Sequence, residues 1–105
     1  MQLTSLLQDG KLTIILTGEI DHHRAKEYIL AITAKIEAYS PRICVLDFAD
    51  VTFMDSSGIA VVINALRQMN KMEGKLILSG IQKQPEKVFR TSGLDKLVEI
   101  KEGVV

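Results

Sequence analysis

The chain has 105 residues, of which 47% are hydrophobic, and its 13 basic and 13 acidic residues balance to a net charge of zero. This length supports one domain with one core, and the hydrophobic content is too high for a disordered protein. The even charge, without a basic block, excludes the electrostatic signature of a nucleic-acid-binding protein. No apolar run reaches the length of a membrane span and the N-terminus lacks a signal-peptide pattern, so we expect a cytoplasmic protein without membrane contact.

The chain opens with the pattern of a β-hairpin. Leu3–Gln8 alternates imperfectly between apolar and polar residues, and Lys11–Thr17 alternates well. Asp9-Gly10 between them is a strong two-residue turn signal, because both central positions of such a turn favour positive φ. We therefore predict an antiparallel pair of strands.

A helix follows this pair. Asp21 is a good N-cap, and Ser40-Pro41 ends the helix because a residue before proline is pushed out of the α region. We expect one apolar stripe, flanked by Tyr28 and Tyr39. The stripe consists of Ala25, Ile29, Ile32 and Ile36.

The rest of the chain alternates strands with helices. Arg42–Phe48 is nearly continuously apolar, as in a strand covered on both faces, and it contains the single cysteine, Cys44, which we interpret as a core residue in a reducing compartment. The later predicted elements are helix Ile59–Met69 stopped by Gly74, strand Lys75–Leu78, helix Pro85–Thr91 capped by Ser92-Gly93, and strand Leu97–Ile100, with fraying from Lys101 to Val105. The order ββαβαβαβ predicts a single α/β domain over residues 1–105, with a mixed β-sheet and parallel strand–helix–strand units.

Two serines, Ser56 and Ser57, lie in Phe53–Gly58, where the apolar strand turns into the second helix. A helix start leaves N–H groups free and carries partial positive charge, so it favours an oxygen cap or a phosphate. One serine satisfies the cap, and the other is then free. The residues alone leave capping and phosphorylation open.

The second helix is apolar on more than one side. The expected core stripe is Ile59, Val62, Ile63 and Leu66. Ala60, Val61 and Ala65 extend its apolar character. Either the helix is buried on several sides, or it carries an apolar shoulder near the serines for a protein partner, and we favour the partner.

A small hydrolase is the alternative from another class of function. The residue types of a catalytic triad are present as Ser56 or Ser57, His22 or His23, and Asp21 or Asp55. However, no serine lies in a Gly-x-Ser-x-Gly elbow, and adjacent histidines on a helix point about 100° apart, which disfavours a shared metal. We therefore expect no catalysis, no metal and no cofactor.

Three segments resemble STAS domains, the anti-sigma factor antagonists. Val51–Ile59 looks like their phosphorylation loop, and Gly18–His23 resembles the second signature of the sporulation branch, which acts on the anti-sigma F factor. Thr91–Leu94 is similar to the closing motif. The resemblance covers essentially the whole chain, although Ile59-Ala60-Val61 replaces a helix start that contains more glycine.

The resemblance implies a phosphorylation switch. Such a protein, when unphosphorylated, binds an anti-sigma factor that is also a serine kinase, and this frees the sigma factor. The kinase, which itself binds the ATP, phosphorylates the position of Ser56, and a PP2C-type phosphatase reverses this. Partner contacts are expected at Asp21, His22, Asp55, Ser57, Gly58, Ile59 and Val61. We expect a monomer; the alternative within the fold is a stress-response or other signalling STAS protein with a different partner kinase.

Overall fold

The computed structural model describes residues 3–102, which form a five-stranded sheet and three α-helices. The elements are β1 (Thr4–Gln8), β2 (Lys11–Ile20), α1 (His22–Tyr39), β3 (Ile43–Met54), α2 (Ser57–Lys71), β4 (Lys75–Ser79), α3 (Lys83–Ser92), a 3₁₀ turn (Leu94–Lys96) and β5 (Glu99–Lys101). The strands lie in the order β1-β2-β3-β4-β5, with β1 antiparallel to β2 and the other neighbouring pairs parallel. The predicted α/β fold, its mixed sheet and its element order are confirmed.

The hairpin turn at Asp9-Gly10 is also confirmed. Both residues have positive φ, 53° and 80°, and Gln8 pairs with Lys11 across the turn. The short polar side chain of Asp9 and the missing side chain of Gly10 tolerate this backbone. The turn therefore fixes the register of β1 on β2.

Helix α1 begins and ends where the sequence predicts. The carboxylate of Asp21 accepts a hydrogen bond from the backbone N–H of Arg24 at 2.8 Å, which makes Asp21 the N-cap. Ser40 adopts the left-handed conformation, and its N–H donates to the carbonyl of Ile36 at 2.8 Å. A side-chain cap at one end and a backbone cap at the other satisfy groups that a helix leaves free.

The buried face of α1 differs from the prediction at one turn. Tyr28 is buried and Ile29 only half-buried. The Tyr28 hydroxyl accepts a hydrogen bond from the N–H of Thr17 at 3.0 Å and one from Arg24 Nη2 at 2.8 Å. With its polar end partnered in this way, the ring can enter the core at low cost.

The core lies between the sheet and the helices, and all three α-helices contribute to it. It joins apolar side chains from β2, β3 and β4 to those of α1 and α2, with Phe48 and Phe89 in edge contact at 5.5 Å. Cys44, Val45 and Leu46 are all buried, so the prediction of a strand covered on both faces is confirmed there. Within residues 3–102, no helix combines the length and apolar character needed to cross a bilayer.

Several predicted strand boundaries are wrong. β2 runs to Ile20 instead of ending at Thr17. β3 runs to Met54 instead of ending at Phe48, because its distal half continues to pair with β2 as far as Ile20. The last strand is Glu99–Lys101, since the chain first makes a 3₁₀ turn that leaves Leu97 exposed. Lys101 is therefore in a strand and Glu102 is an exposed residue in a bend, whereas positions 103–105 of the predicted frayed end lie outside the described residues.

The second helix is longer than predicted at both ends. It begins at Ser57 and ends at Lys71, before Gly74. Glu73, with a φ of 58°, takes the left-handed conformation that reverses the chain. Gly74 has another reason to be glycine: an added Cβ would lie 2.9 Å from the backbone oxygen of Arg42.

Candidate functional site

The carboxyl ends of β2 and β3 bring two of the sequence motifs to one edge of the sheet. Ile20 pairs with Met54, and the N–H of Asp55 donates to the carbonyl of Ile20 at 3.2 Å. Asp21 and Asp55 follow directly, and α1 and α2 begin at His22 and Ser57. Two helix N-termini, each with partial positive charge, therefore start from neighbouring strands.

The strands reach this edge through irregular pairing. Register shifts in the β2–β3 ladder fall between Ile15 and Thr17 and between Gly18 and Glu19. Gly18 has a φ of 75°, a conformation that glycine adopts without steric cost. Arg24 of α1 braces this region by donating from Nη2 to the carbonyl of Thr17 at 3.1 Å. The sequence interpretation did not single out Arg24, because nothing local distinguishes it from a solvent-facing cation.

Asp55 caps α2. Its carboxylate accepts a hydrogen bond from the N–H of Ser57 at 2.8 Å, and its carbonyl accepts one from the N–H of Gly58 at 3.1 Å. Ser56 is the N-cap residue by position, yet its side chain makes no capping hydrogen bond. The prediction that a serine hydroxyl caps the helix is therefore wrong, since the aspartate reaches the free N–H group first. Ser56 is exposed and Ser57 is half-buried.

Gly58 is buried against Met54. A Cβ built on Gly58 would lie 2.3 Å from the Met54 sulfur, and Met54 itself is fully buried. The first turn of α2 can approach the end of β3 only because residue 58 has no side chain. This contact holds Ser56 close to the sheet edge.

Helix α3 completes the site from the other side. The side-chain amide of Gln84 bonds both backbone groups of Met54: Oε1 accepts from its N–H at 2.7 Å, and Nε2 donates to its carbonyl at 2.9 Å. The sequence interpretation missed Gln84. No local signal marks it, because its partner Met54 is 30 residues away along the chain.

A groove of about 440 Å³ separates the start of α2 from α3. It is lined by Ser56, which directly precedes α2, by Ile59 of α2, and by five residues of α3, namely Gln84, Lys87, Val88, Thr91 and Ser92. The third motif, Thr91–Leu94, therefore borders the same groove as Ser56. Lys87 is the one charged residue among those that line it.

At the start of α1, the predicted residues are at the surface. Asp21, His22 and His23 are exposed, and the hydrogen bond from the Arg24 N–H lowers the pKa of the Asp21 carboxyl. His23 Nε2 lies 3.8 Å from a Glu27 carboxylate oxygen, one helical turn away. Among residues 3–102, no cluster of three metal-ligating side chains occurs.

The predicted shoulder on α2 is on the wrong side of the helix. Val61 and Ala65 are each 1% exposed and belong to the core, so Val61 is not a surface contact. Ile59 and Ile63, predicted as core, are only half-buried, and Ala60 is exposed. An accessible apolar border does exist, and it is formed by Ile59, Ala60 and Ile63.

Comparison with known proteins places this arrangement in a family. The family model that describes the STAS domain matches residues 4–105 of this sequence. The chain belongs to the STAS domain family. An anti-sigma F factor antagonist of Lysinibacillus sphaericus is 33% identical over 81 residues, which cover 77% of this chain and 69% of that protein. An anti-sigma-B factor antagonist of Listeria monocytogenes is 28% identical over 91 residues, covering 84% of this chain and 76% of that protein.

Solved structures give the same family. The unphosphorylated anti-sigma factor antagonist SpoIIAA superposes with a TM-score of 0.84 at 26% identity, covering 98% of this STAS domain and 89% of SpoIIAA. The phosphorylated form of SpoIIAA from Bacillus superposes with a TM-score of 0.76 at 26% identity, covering 98% and 92% of the two chains. The five-stranded sheet and its helices are thus those of a STAS domain.

Proposed function

We propose that this STAS domain is an anti-sigma factor antagonist switched by phosphorylation of Ser56, a regulatory binding protein and not an enzyme. The proposal rests on the different roles of Asp55 and Ser56 at the start of α2. Asp55 caps the helix by bonding the Ser57 N–H at 2.8 Å, so the exposed Ser56 hydroxyl has no capping role. A hydroxyl that is not needed for folding can be modified without loss of the fold.

The surroundings of Ser56 fit a docking surface. The groove beside it is lined by the apolar side chains of Ile59 and Val88, and Ala60 and Ile63 extend the apolar border along α2. We propose that the unphosphorylated protein docks here on an anti-sigma factor that is also a serine kinase. The proposed contact region lies at the sheet edge where α1 and α2 begin and consists of Asp21, His22, Asp55, Ser57 and Ile59. Gly58, also expected as a contact, is buried and serves the packing of α2 on β3 instead.

Phosphate on Ser56 would oppose this docking. It adds about −1.5 to −2 charge, which a partner surface would have to desolvate beside Asp55. The positive N-terminus of α2 can hold the phosphate without refolding the domain. The unphosphorylated and the phosphorylated forms of SpoIIAA both superpose on this chain, with TM-scores of 0.84 and 0.76, which supports a switch that acts on the contact and not on the fold.

Two branches of the family offer candidate partners. The sporulation branch is favoured by the 33% identity to an anti-sigma F factor antagonist, whereas the stress-response branch is represented at 28% identity over a larger share of the chain. The proposal is a monomeric antagonist of the first branch, restored by a PP2C-type phosphatase. Affinity measurements against anti-sigma kinases of both branches separate these alternatives.

The test of the switch uses ATP and the histidine-kinase-like anti-sigma factor of the source organism. Wild-type protein and Ser57→Ala are expected to be labelled on Ser56, as mapped by mass spectrometry. Ser56→Ala should bind the kinase without being labelled, and Ser56→Asp should bind at least about tenfold more weakly. Label on Ser57, or normal labelling of Ser56→Ala, would overturn the assignment.

The hydrolase alternative receives no support from the geometry. Among the described residues, no hydrogen bond joins a histidine to Ser56 or Ser57, so no general base is in place. Incubation with generic ester substrates is expected to give no turnover. Turnover that disappears in Ser56→Ala would reverse this conclusion.

A further inference from the structure

Strand β3 extends well past its neighbour β4. The ladder between them joins only Ile43–Asp47 to Lys75–Ser79, whereas β3 continues to Met54. Beyond Asp47, no strand among residues 3–102 lies beside β3 on the side that faces away from β2. Backbone N–H and C=O groups along that side need other partners, because unpaired buried groups are costly.

Side chains of α3 and of the residue before it take the place of the missing strand. Gln82 Nε2 donates to the carbonyl of Ala49 at 2.7 Å, and Gln84 bonds both the N–H and the carbonyl of Met54, at 2.7 and 2.9 Å. Gln84 is half-buried and Met54 is fully buried, so water competes poorly for these bonds. The amide of Gln84 thus presents one acceptor and one donor, as a neighbouring strand residue would.

The two bonds between Gln84 and Met54 form a clamp on the backbone two residues before Ser56. Backbone groups of successive strand residues point to opposite sides, so Met54 bonds toward α3 while the N–H of Asp55 bonds the Ile20 carbonyl at 3.2 Å. The chain is therefore held from both sides in the two residues that precede Ser56. Without the bonds from Gln84, the backbone at Met54 and Asp55 is held by the bond to Ile20 of β2 alone.

We propose that Gln84 is a positioning residue for phosphorylation, which holds the chain so that Ser56 presents its hydroxyl correctly to the kinase. The inference rests on the proposed function. In the transfer, Ser56 Oγ bonds to the γ-phosphorus of ATP held by the kinase as the bond from that phosphorus to the β–γ bridging oxygen breaks. ADP leaves, and the hydroxyl proton passes to a base of the kinase. Such a step is sensitive to small displacements of the attacking atom.

Three variants separate positioning from general stability. Gln84→Leu keeps similar bulk but loses both bonds to Met54. Gln84→Glu keeps an acceptor for the Met54 N–H and loses the donor. Gln82→Leu is the matched control, since it removes the neighbouring glutamine bond, which ends on Ala49 at the other end of this segment.

The first readout needs no kinase. Amide hydrogen exchange of Met54, followed by NMR, should accelerate at least about fivefold in Gln84→Leu, as expected for loss of a net hydrogen bond. Exchange at Met54 should stay within about twofold of wild type in Gln82→Leu. Unchanged exchange in Gln84→Leu would overturn the clamp.

The second readout is steady-state phosphorylation by the anti-sigma kinase with ATP. Gln84→Leu is expected to lower kcat at least about tenfold while KM changes less than about threefold. The amide of Gln84 bonds Met54, and the apolar groove residues Ile59 and Val88 are unchanged, so docking persists while the attacking oxygen is misplaced. The kcat of Gln84→Glu should lie between the values of wild type and Gln84→Leu. The kcat of Gln82→Leu should match that of wild type. Equal kcat in wild type and Gln84→Leu overturns this inference alone. Absence of label on wild-type Ser56 overturns the proposed function, and this inference with it.

Discussion

The Asp55 carboxylate lies 2.8 Å from the backbone nitrogen of Ser57 and accepts its hydrogen bond. This one bond closes the turn between β3 and α2 and satisfies an N–H group that the helix would otherwise leave free. An aspartate at this point also places negative charge at the positive end of the helix. The two serines that follow are consequently available for other roles.

Replacement of Asp55 by alanine should destabilise the domain. Loss of a helix cap costs about 0.5–2 kcal/mol, and loss of the favourable charge adds to it. Ser57→Ala removes a hydroxyl without a capping role and should change the free energy of unfolding by less than about 0.5 kcal/mol. Urea denaturation of both variants checks this, and equal destabilisation by the two would mean that the serine shares the cap.

Gly58→Ala tests the close approach of α2 to β3. The added methyl would lie 2.3 Å from the Met54 sulfur, and Met54 is enclosed. Overpacking of this kind costs about 1–3 kcal/mol, which exceeds the gain of up to about 1 kcal/mol in helix propensity. We expect a net loss of stability in urea melts.

The control for this contact is a double-mutant cycle with Met54→Ala. Shortening residue 54 opens the space that the new methyl needs, so Gly58→Ala should be far less harmful in that background. Additive effects of the two substitutions would show that the clash is relieved elsewhere.

Much of the fold could be predicted because its signals are local. The positive-φ turn at Asp9-Gly10, the cap at Asp21 and the left-handed Gly93 after α3 each depend on a few neighbouring residues, and all are observed. Alternation and helical spacing then set the order of strands and helices. Short-range chemistry was sufficient for these elements.

The errors come from tertiary contacts. The end of β3 depends on pairing with β2 up to Ile20, which no pattern within β3 records. On α2, nearly all of the first positions are apolar, so composition could not decide that Val61 faces the core while Ile59 lies at its border. Packing of α2 against the sheet determines which of these side chains is buried.

The candidate site divides in the same way. Ser56 and Asp55 were found from the strand–helix junction, although the cap was expected from a serine and comes from Asp55. Gln84 could not be found, because its partner Met54 is 30 residues away along the chain. A glutamine near a helix start looks like an exposed polar residue until the sheet beside it is known.

The buried thiol of Cys44 predicts a pH dependence of stability. Burial raises its pKa to about 12, whereas the thiol of a cysteine in an unfolded chain has a pKa of about 8.5. Between these values the native state keeps a proton that the unfolded state releases. The stabilisation is therefore complete below about pH 8.5 and declines above it, by up to about 1.4 kcal/mol per pH unit.

Urea melts from pH 7 to pH 10 measure this decline. The wild type should lose more stability over the alkaline part of the range than Cys44→Ala, which lacks the thiol. Other titrating groups are common to both proteins and cancel in the difference. Parallel pH profiles would contradict a shifted thiol, as would rapid reaction of the folded protein with a thiol reagent at pH 8.

The orientation of α2 predicts opposite outcomes for adjacent residues. Val61 is 1% exposed, so Val61→Glu places a carboxylate in the core and should cost at least about 3 kcal/mol or prevent folding. Ala60 is exposed, so Ala60→Glu should keep stability within about 0.5 kcal/mol of wild type.

Because Ala60 borders the proposed docking groove, Ala60→Glu should also bind the anti-sigma kinase at least about tenfold more weakly, measured by calorimetry. Asn70→Glu, exposed in the last turn of α2 and away from the groove, is the control for added charge and should bind normally. A folded Val61→Glu, or an Ala60→Glu that binds as well as Asn70→Glu, would place the docking face elsewhere.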